Sequence, residues 1–212
     1  MSVTQYKKNV LMILADGFEL IETSCFTDVL AWANFQDHVD IKLVSASIGN
    51  TVKAAFGGFT ITPETRIKDI NLHSFHGLAI PGGMEWAGFF DDVMSEEFRS
   101  VIEHFVSNNK PIAAVCVASL SLANAGALLN KKATVYHSEN GKHKATLERM
   151  GATFVDKPIV KDSNITTSTG PGTAIEVALS LLSDLTDFET AEKTRHIMRI
   201  PKPSVSWYEP QV

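Results

Sequence analysis

From position 10 the chain runs Val-Leu-Met-Ile-Leu-Ala with no polar interruption and stops at Asp16-Gly17. This is the pattern of a parallel strand covered on both faces. The period then changes: Ile21, Cys25, Val29, Trp32 and Ala33 recur at spacings of three and four, predicting a helix whose buried stripe carries Cys25. Ile41 to Ala46 reads as the next strand, and Phe56-Gly57-Gly58-Phe59 as a turn or short hairpin. Leu78-Ala79-Ile80 is a further buried strand ended by Pro81-Gly82-Gly83. Ser95-Glu96-Glu97 opens a helix with a cap residue and two acids in its first turn, and Phe98, Val101, Ile102 and Phe105 form its buried stripe. Pro111 to Val115 is an apolar run that ends in Cys116, with Val117-Ala118-Ser119 turning at once into a helix. Beyond it the pattern predicts a short strand at Ala133-Thr134-Val135, a helix from Gly141 to Met150, a strand pair around Ile159 and Ile165, and an apolar helix from Ala174 to Leu182.

Repeated strand and helix units with short connections imply an α/β fold of flavodoxin-like type, a mostly parallel sheet sandwiched between helices with right-handed crossovers. Residues 1–186 form the expected α/β domain. Residues 187–212, with a possible helix from Glu189 to Met198 and then Pro201-Lys202-Pro203, are expected to pack on the body or a partner. A length of 212 residues with no linker favours one large domain.

Composition removes several function classes. A net charge of −5 gives no electrostatic case for nucleic acid or an anionic membrane, and 44% hydrophobic with 20% charged residues is ordinary for a globular chain. Two cysteines in unrelated settings, without metal-type spacing, argue for a reducing compartment, and the apolar run before Asp16 is too short for a signal peptide or a membrane span. A cytoplasmic protein is expected. No phosphate-binding glycine consensus is present, so a nucleotide cofactor is not implied. His73 and His76, three apart in a polar loop, read as solvated surface residues, so no metal is expected.

In open α/β sheets ligands bind at the carboxyl ends of the strands, so residues just past predicted strands are the candidates for chemistry. Cys116 stands at such an end and at the start of a helix, where both features favour a thiolate; a free cysteine is also among the most buried residue types, used as a small hydrophobe. Glu19 and Glu22 lie three apart, on one side of a first helical turn. Acids there also serve the helix dipole. Pro81-Gly82-Gly83 can turn backbone N–H groups toward an oxyanion, or be only a turn. Converging on one crevice, these segments would supply a nucleophile, an acid/base and an oxyanion site.

The runs Gly17 to Thr23, Pro81 to Gly83, Ala113 to Cys116 and Thr167 to Thr173, in this order and spacing, resemble the ThiJ/PfpI superfamily, within it the branch of the Parkinson-associated deglycase and its bacterial relatives. The resemblance spans about residues 9 to 185. It implies Cys116 as the reactive cysteine, Glu22 as the carboxylate on its sulfur, the Gly83 and Val117 N–H groups as the oxyanion site, and His137 as the nearby histidine. It also implies a pocket lined by Glu19, Gly82, Gly170 and Pro171, and a homodimer with the first helix and Cys25 near the contact. The chain departs from related branches: Val117 stands where peptidase-like members carry histidine, His196 has no glutamate beside it as the amidotransferases require, and no arginine lies near Gly57-Gly58.

The activity implied is a cofactor-independent glyoxalase, with a possible deglycase action, that converts methylglyoxal-type 2-oxoaldehydes to 2-hydroxy acids. The alternative is a redox sensor or oxidation-dependent chaperone in which Cys116 becomes a sulfinate. A third is the same site with another small electrophile as substrate.

Overall fold

The computed structural model describes residues 5–139 and 141–208. The apolar run that opens the sequence lies in β1 (Tyr6–Ile13), and residues 10–13 are buried. Chain reversal at Gly17, with φ of 72°, leads into α1 (Leu20–Ala33). A side chain at Gly17 would meet the Ala87 carbonyl oxygen at 2.7 Å, so the turn depends on glycine twice, for its backbone angle and for space. β2 (Val39–Ser47) returns parallel to β1. The Gly57-Gly58 segment joins β3 (Val52–Lys53) to β4 (Thr60–Ile61) as an antiparallel hairpin, both glycines at positive φ, and β5 (Thr65–Arg66) completes this side of the molecule.

The second half repeats the unit. β6 (Gly77–Ile80) is followed by α2 (Phe89–Val93) and α3 (Glu96–Ser107). The Ser95 hydroxyl accepts the Phe98 N–H, as its place before two acids predicts, and Phe98, Val101, Ile102 and Phe105 are all buried. β7 (Ile112–Ala114) leads through a single 3-10 turn, Cys116–Ala118, into α4 (Ser119–Asn124). β8 (Lys132–Ala133), α5 (Lys142–Arg149) and β9 (Thr153–Phe154) form a lobe beside the sheet. β10 (Ile159–Asp162) and β11 (Ile165–Ser168) are an antiparallel pair at the sheet edge, before α6 (Ala174–Leu185) and α7 (Phe188–Ile197).

The seven-stranded sheet runs β10-β11-β7-β6-β1-β2-β5, parallel throughout except for β10 against β11. From β1 the chain builds outward through β2 and β5, then crosses back to β6, β7 and β11. The topological switch therefore lies between β1 and β6, where ligand crevices form in such sheets. The carboxyl ends of β1, β6 and β7 lie side by side there, and these strands lead to Glu19 and Glu22, to Gly82 and Gly83, and to Cys116.

One expected facing is corrected. The buried residues of α1 are Glu22, Thr23, Phe26, Val29, Leu30 and Ala33, whereas Ile21 is 52% exposed, Trp32 is 39% exposed and Cys25 is half-buried. The helix carries apolar side chains on two faces, so spacing alone gives no unique inward direction. The C-terminal region is tied to the body. Gln36 donates to the Thr190 carbonyl and the Thr194 hydroxyl, and Arg195 grips both carboxylate oxygens of Glu176 at 2.5 and 2.6 Å. The Tyr208 hydroxyl also donates to Glu176, at 3.0 Å, while its backbone pairs with Ile159 at the edge strand. Residues 209–212 of the expected tail lie outside the described residues. Among the described residues no helix is long and apolar enough to cross a membrane.

Candidate active site

Cys116 follows a buried strand directly, and its backbone is forced into the left-handed region with φ of 62°. A non-glycine residue there costs about 1–2 kcal/mol, and such strain persists only where the surroundings over-determine it. The turn sets the side chain at the end of β7, 6% exposed, with the Val117 N–H directed at the sulfur.

Glu22 reaches the same point from the first turn of α1. Its side chain is completely buried, and Oε2 accepts the Gly82 N–H at 2.6 Å while Oε1 has no hydrogen-bond partner among the described residues. Gly82 is the wedge between the two groups. A methyl group on it would stand 2.8 Å from Cys116 Cβ, from Glu22 Oε2 and from the Val115 carbonyl oxygen, so only glycine allows carboxyl and thiol to approach. Gly83 is still tighter, with the Gly17 carbonyl and the Phe89 ring 2.3 Å from where its Cβ would be. Two backbone bonds, from Glu19 N–H to the Gly82 carbonyl and from Met84 N–H to the Gly17 carbonyl, lace this loop to the turn after β1. The Gly83 N–H itself has no acceptor among the described residues.

Electrostatics couples the pair. Burial pushes the Glu22 carboxyl up to about 8; the Gly82 N–H pulls it down, Glu19 pushes it up, and Cys116 pulls it down. Burial is also the largest influence on the Cys116 thiol and raises it well above the ordinary range. An ionised Glu22 acts the same way, the Val117 N–H opposes both, and Glu19 adds to the rise. The expectation of a thiolate favoured by strand end and helix start is thereby corrected. The sulfur does sit at the head of a helical turn, but desolvation and a neighbouring carboxylate outweigh so short a turn. The neutral thiol favours the Glu22 carboxylate and that carboxylate disfavours a thiolate, so the pair loses its first proton from Glu22 far more readily than a second from Cys116.

The structure thus brings together Cys116, Glu22, Glu19, Gly82, Gly83 and Val117. Gly170, beyond β11, has its Cβ position 3.5 Å from the Tyr136 ring, and Pro171 follows in a 3-10 turn; neither makes a hydrogen bond to Cys116 or Glu22 among the described residues. His137 is turned elsewhere. Its Nδ1 lies 2.9 Å from the Val135 carbonyl and its Nε2 lies 3.2 Å from Asp156, with the ring edge-on to Phe154. It makes no hydrogen bond to Cys116 or Glu22 among the described residues. Sequence reasoning missed its neighbour Tyr136, whose N–H donates to the Cys116 carbonyl at 3.3 Å. A backbone contact of this kind leaves no side-chain signature.

Away from this site, burial raises the Cys25 thiol to about 11, with Asp28 and Glu22 adding to the rise. His73 and His76 are exposed; His73 packs edge-on to His104 and His76 accepts the Asn9 N–H. Among the described residues no group of three or more histidine, cysteine or acidic side chains could hold a metal ion.

A doubly wound α/β sheet with a cysteine on a strained strand-to-helix turn, a buried carboxyl beside it and a glycine loop facing it defines a class of proteins built around one buried thiol. The comparisons with known proteins identify the family and the fold. The DJ-1/PfpI family profile matches residues 8–184, and the chain belongs to that family. Protein dj-1beta of Drosophila melanogaster is 30% identical over 186 residues, 88% of this chain and 94% of that protein. Its crystal structure superposes with a TM-score of 0.80, covering 92% of this chain and 100% of that one. Protein DJ-1 homolog A of Arabidopsis thaliana is 30% identical over 203 residues, which is 95% of this chain but 49% of its own length. Schizosaccharomyces pombe DJ-1, at 24% identity and a TM-score of 0.75, covers 91% of this chain and 100% of its own, and shares the fold.

Proposed function

We propose that the protein is a cofactor-independent glyoxalase for methylglyoxal-type 2-oxoaldehydes, with Cys116 as nucleophile and Glu22 as acid and base. The observation that carries this reading is the fully buried Glu22 carboxyl, raised to about 8 beside the thiol and held by the Gly82 N–H. A general base works best when its pKa lies near the working pH, and here one carboxyl can both accept and return a proton.

In the first step the Cys116 sulfur bonds to the aldehyde carbon while the thiol proton passes to the Glu22 carboxylate. The resulting oxyanion faces the Gly83 and Val117 N–H groups and takes that proton back from Glu22 to become a hemithioacetal, which leaves Glu22 as carboxylate. Glu22 then removes the proton on that carbon and delivers one to the neighbouring carbonyl carbon through an enediol, leaving a thioester. One water cleaves the thioester to the 2-hydroxy acid and restores the thiol, so the net change is addition of one water. Turnover should rise with pH as the pair loses its first proton, through about 8. Glu22→Gln should lower turnover of methylglyoxal, without glutathione, by at least ~100-fold; a rate within about threefold of wild type would remove Glu22 from the mechanism.

A redox sensor or oxidation-dependent chaperone is the second reading, favoured by the same carboxyl. Peroxide would supply both oxygens of a Cys116 sulfinate, and a protonated Glu22 would donate a hydrogen bond to it. Cys25, whose thiol has no hydrogen-bonded carboxyl among the described residues to take its proton, should stay unmodified. Mass spectrometry after mild peroxide should find two oxygens on Cys116 alone; equal modification of both thiols would exclude this reading. Two free cysteines fit a reducing, cytoplasmic setting.

We also place a homodimer contact on the outward face of α1 and the neighbouring hairpin. Ile21 is 52% exposed, Phe56 51% and Phe59 56%, with half-buried Cys25 on the same helix. Exposed apolar side chains grouped in this way mark association surfaces. Light scattering should report a dimer that Phe59→Asp weakens; a monomeric wild type would contradict it.

A further inference from the structure

Of the two histidines that follow β8, His137 precedes α5 and His143 lies in its first turn, fastened to the Tyr136 carbonyl. His143 Nδ1 lies 3.2 Å from the Tyr136 carbonyl. A carbonyl only accepts, so Nδ1 holds the proton and, in the neutral ring, Nε2 is left as an acceptor. That Nε2 is buried with no partner among the described residues. Tyr136 in turn donates its N–H to the Cys116 carbonyl at 3.3 Å. A two-step hydrogen-bonded path therefore runs from the imidazole through one backbone residue to the residue whose φ is 62°.

The same turn of α5 is tied to the other side of the site. Lys142 Nζ stands 2.6 Å from Glu85 Oε1, two residues beyond Gly83. The His143 ring itself packs between Tyr136, at 6.2 Å between centroids, and Phe90, at 6.1 Å. The exposed ion pair alone would contribute little. Together with the imidazole bond and the two ring contacts, it makes the start of α5 a bridge from the oxyanion loop to the nucleophile turn.

We propose that His143 is a positioning residue for Cys116, holding the Tyr136 backbone that in turn holds the strained cysteine against Glu22. This rests on Cys116 being the reactive thiol and not on any particular substrate. A side chain that presents an N–H where Nδ1 stands would preserve the function, and an apolar one of similar size would lose it. The asparagine amide nitrogen meets the first condition and leucine the second.

The test is the rate of Cys116 alkylation by iodoacetamide at pH 8, read by mass spectrometry on the full chain, with Cys25 in the same molecule reporting any general loosening. His143→Leu should slow Cys116 by about tenfold, the scale of one lost hydrogen bond. His143→Asn should stay within about threefold of wild type, and the Cys25 rate should be unchanged in both. That pattern supports the positioning role whether or not any of the proteins turns over methylglyoxal, so it stands apart from the glyoxalase reading. Unchanged or faster alkylation in His143→Leu, or equal slowing in both variants, would overturn it.

Discussion

Burying a carboxyl beside a thiol has a consequence for stability as well as for chemistry. Glu22 is raised to about 8 in the folded chain, so the native state holds its proton more tightly than the unfolded state. An acid shifted upward contributes its full stability below the unfolded value, about 4.5, and loses it as pH rises toward 8, at ~1.4 kcal/mol per pH unit. The melting temperature of Glu22→Gln, measured against wild type from pH 5 to 8, should therefore gain on wild type steadily across that window. Parallel curves would show that the carboxyl is not shifted. At this scale the sequence was partly legible. Cys116, Glu22, Gly82 and Gly83 stand out because each follows a strand, and strand ends can be read from runs of apolar residues. The thiol's shift could not be read, because its sign depends on how deeply the turn is buried. Tyr136 and His143 were hidden for another reason: Tyr136 acts through backbone atoms, and His143 through a bond from its ring to a carbonyl outside its own helix, which helical spacing does not show.

Elements were legible where one face alone is apolar. The stripe of α3 and its Ser95 cap follow directly from their spacing, and the Gly57-Gly58 hairpin from its paired glycines. The facing of α1 was not, because Ile21, Cys25 and Trp32 make a second apolar stripe beside Phe26, Val29 and Leu30. Thermal or denaturant unfolding separates the two stripes. Phe26→Ala, at a position with no exposure, should cost about 3–5 kcal/mol, and Trp32→Ala, at 39% exposure, under ~1 kcal/mol. Equal costs would mean that the outer stripe is buried in solution as well.

The whole molecule places its chemistry at the reversal of strand order, where three neighbouring parallel strands end. The α/β class followed from alternating strand and helix patterns, but the order of strands did not, since pairing between distant segments leaves no local mark. The assembled crevice sets the Glu22 carboxyl of α1 beside Cys116 of the β7 turn. The central claim is that this pair turns over a 2-oxoaldehyde, and the most direct measurement is lactate formation from methylglyoxal by the purified protein without glutathione or added metal, beside Cys116→Ala. The account predicts lactate from the wild type and none above background from the variant. Absence of lactate from both, or equal formation by both, would contradict it.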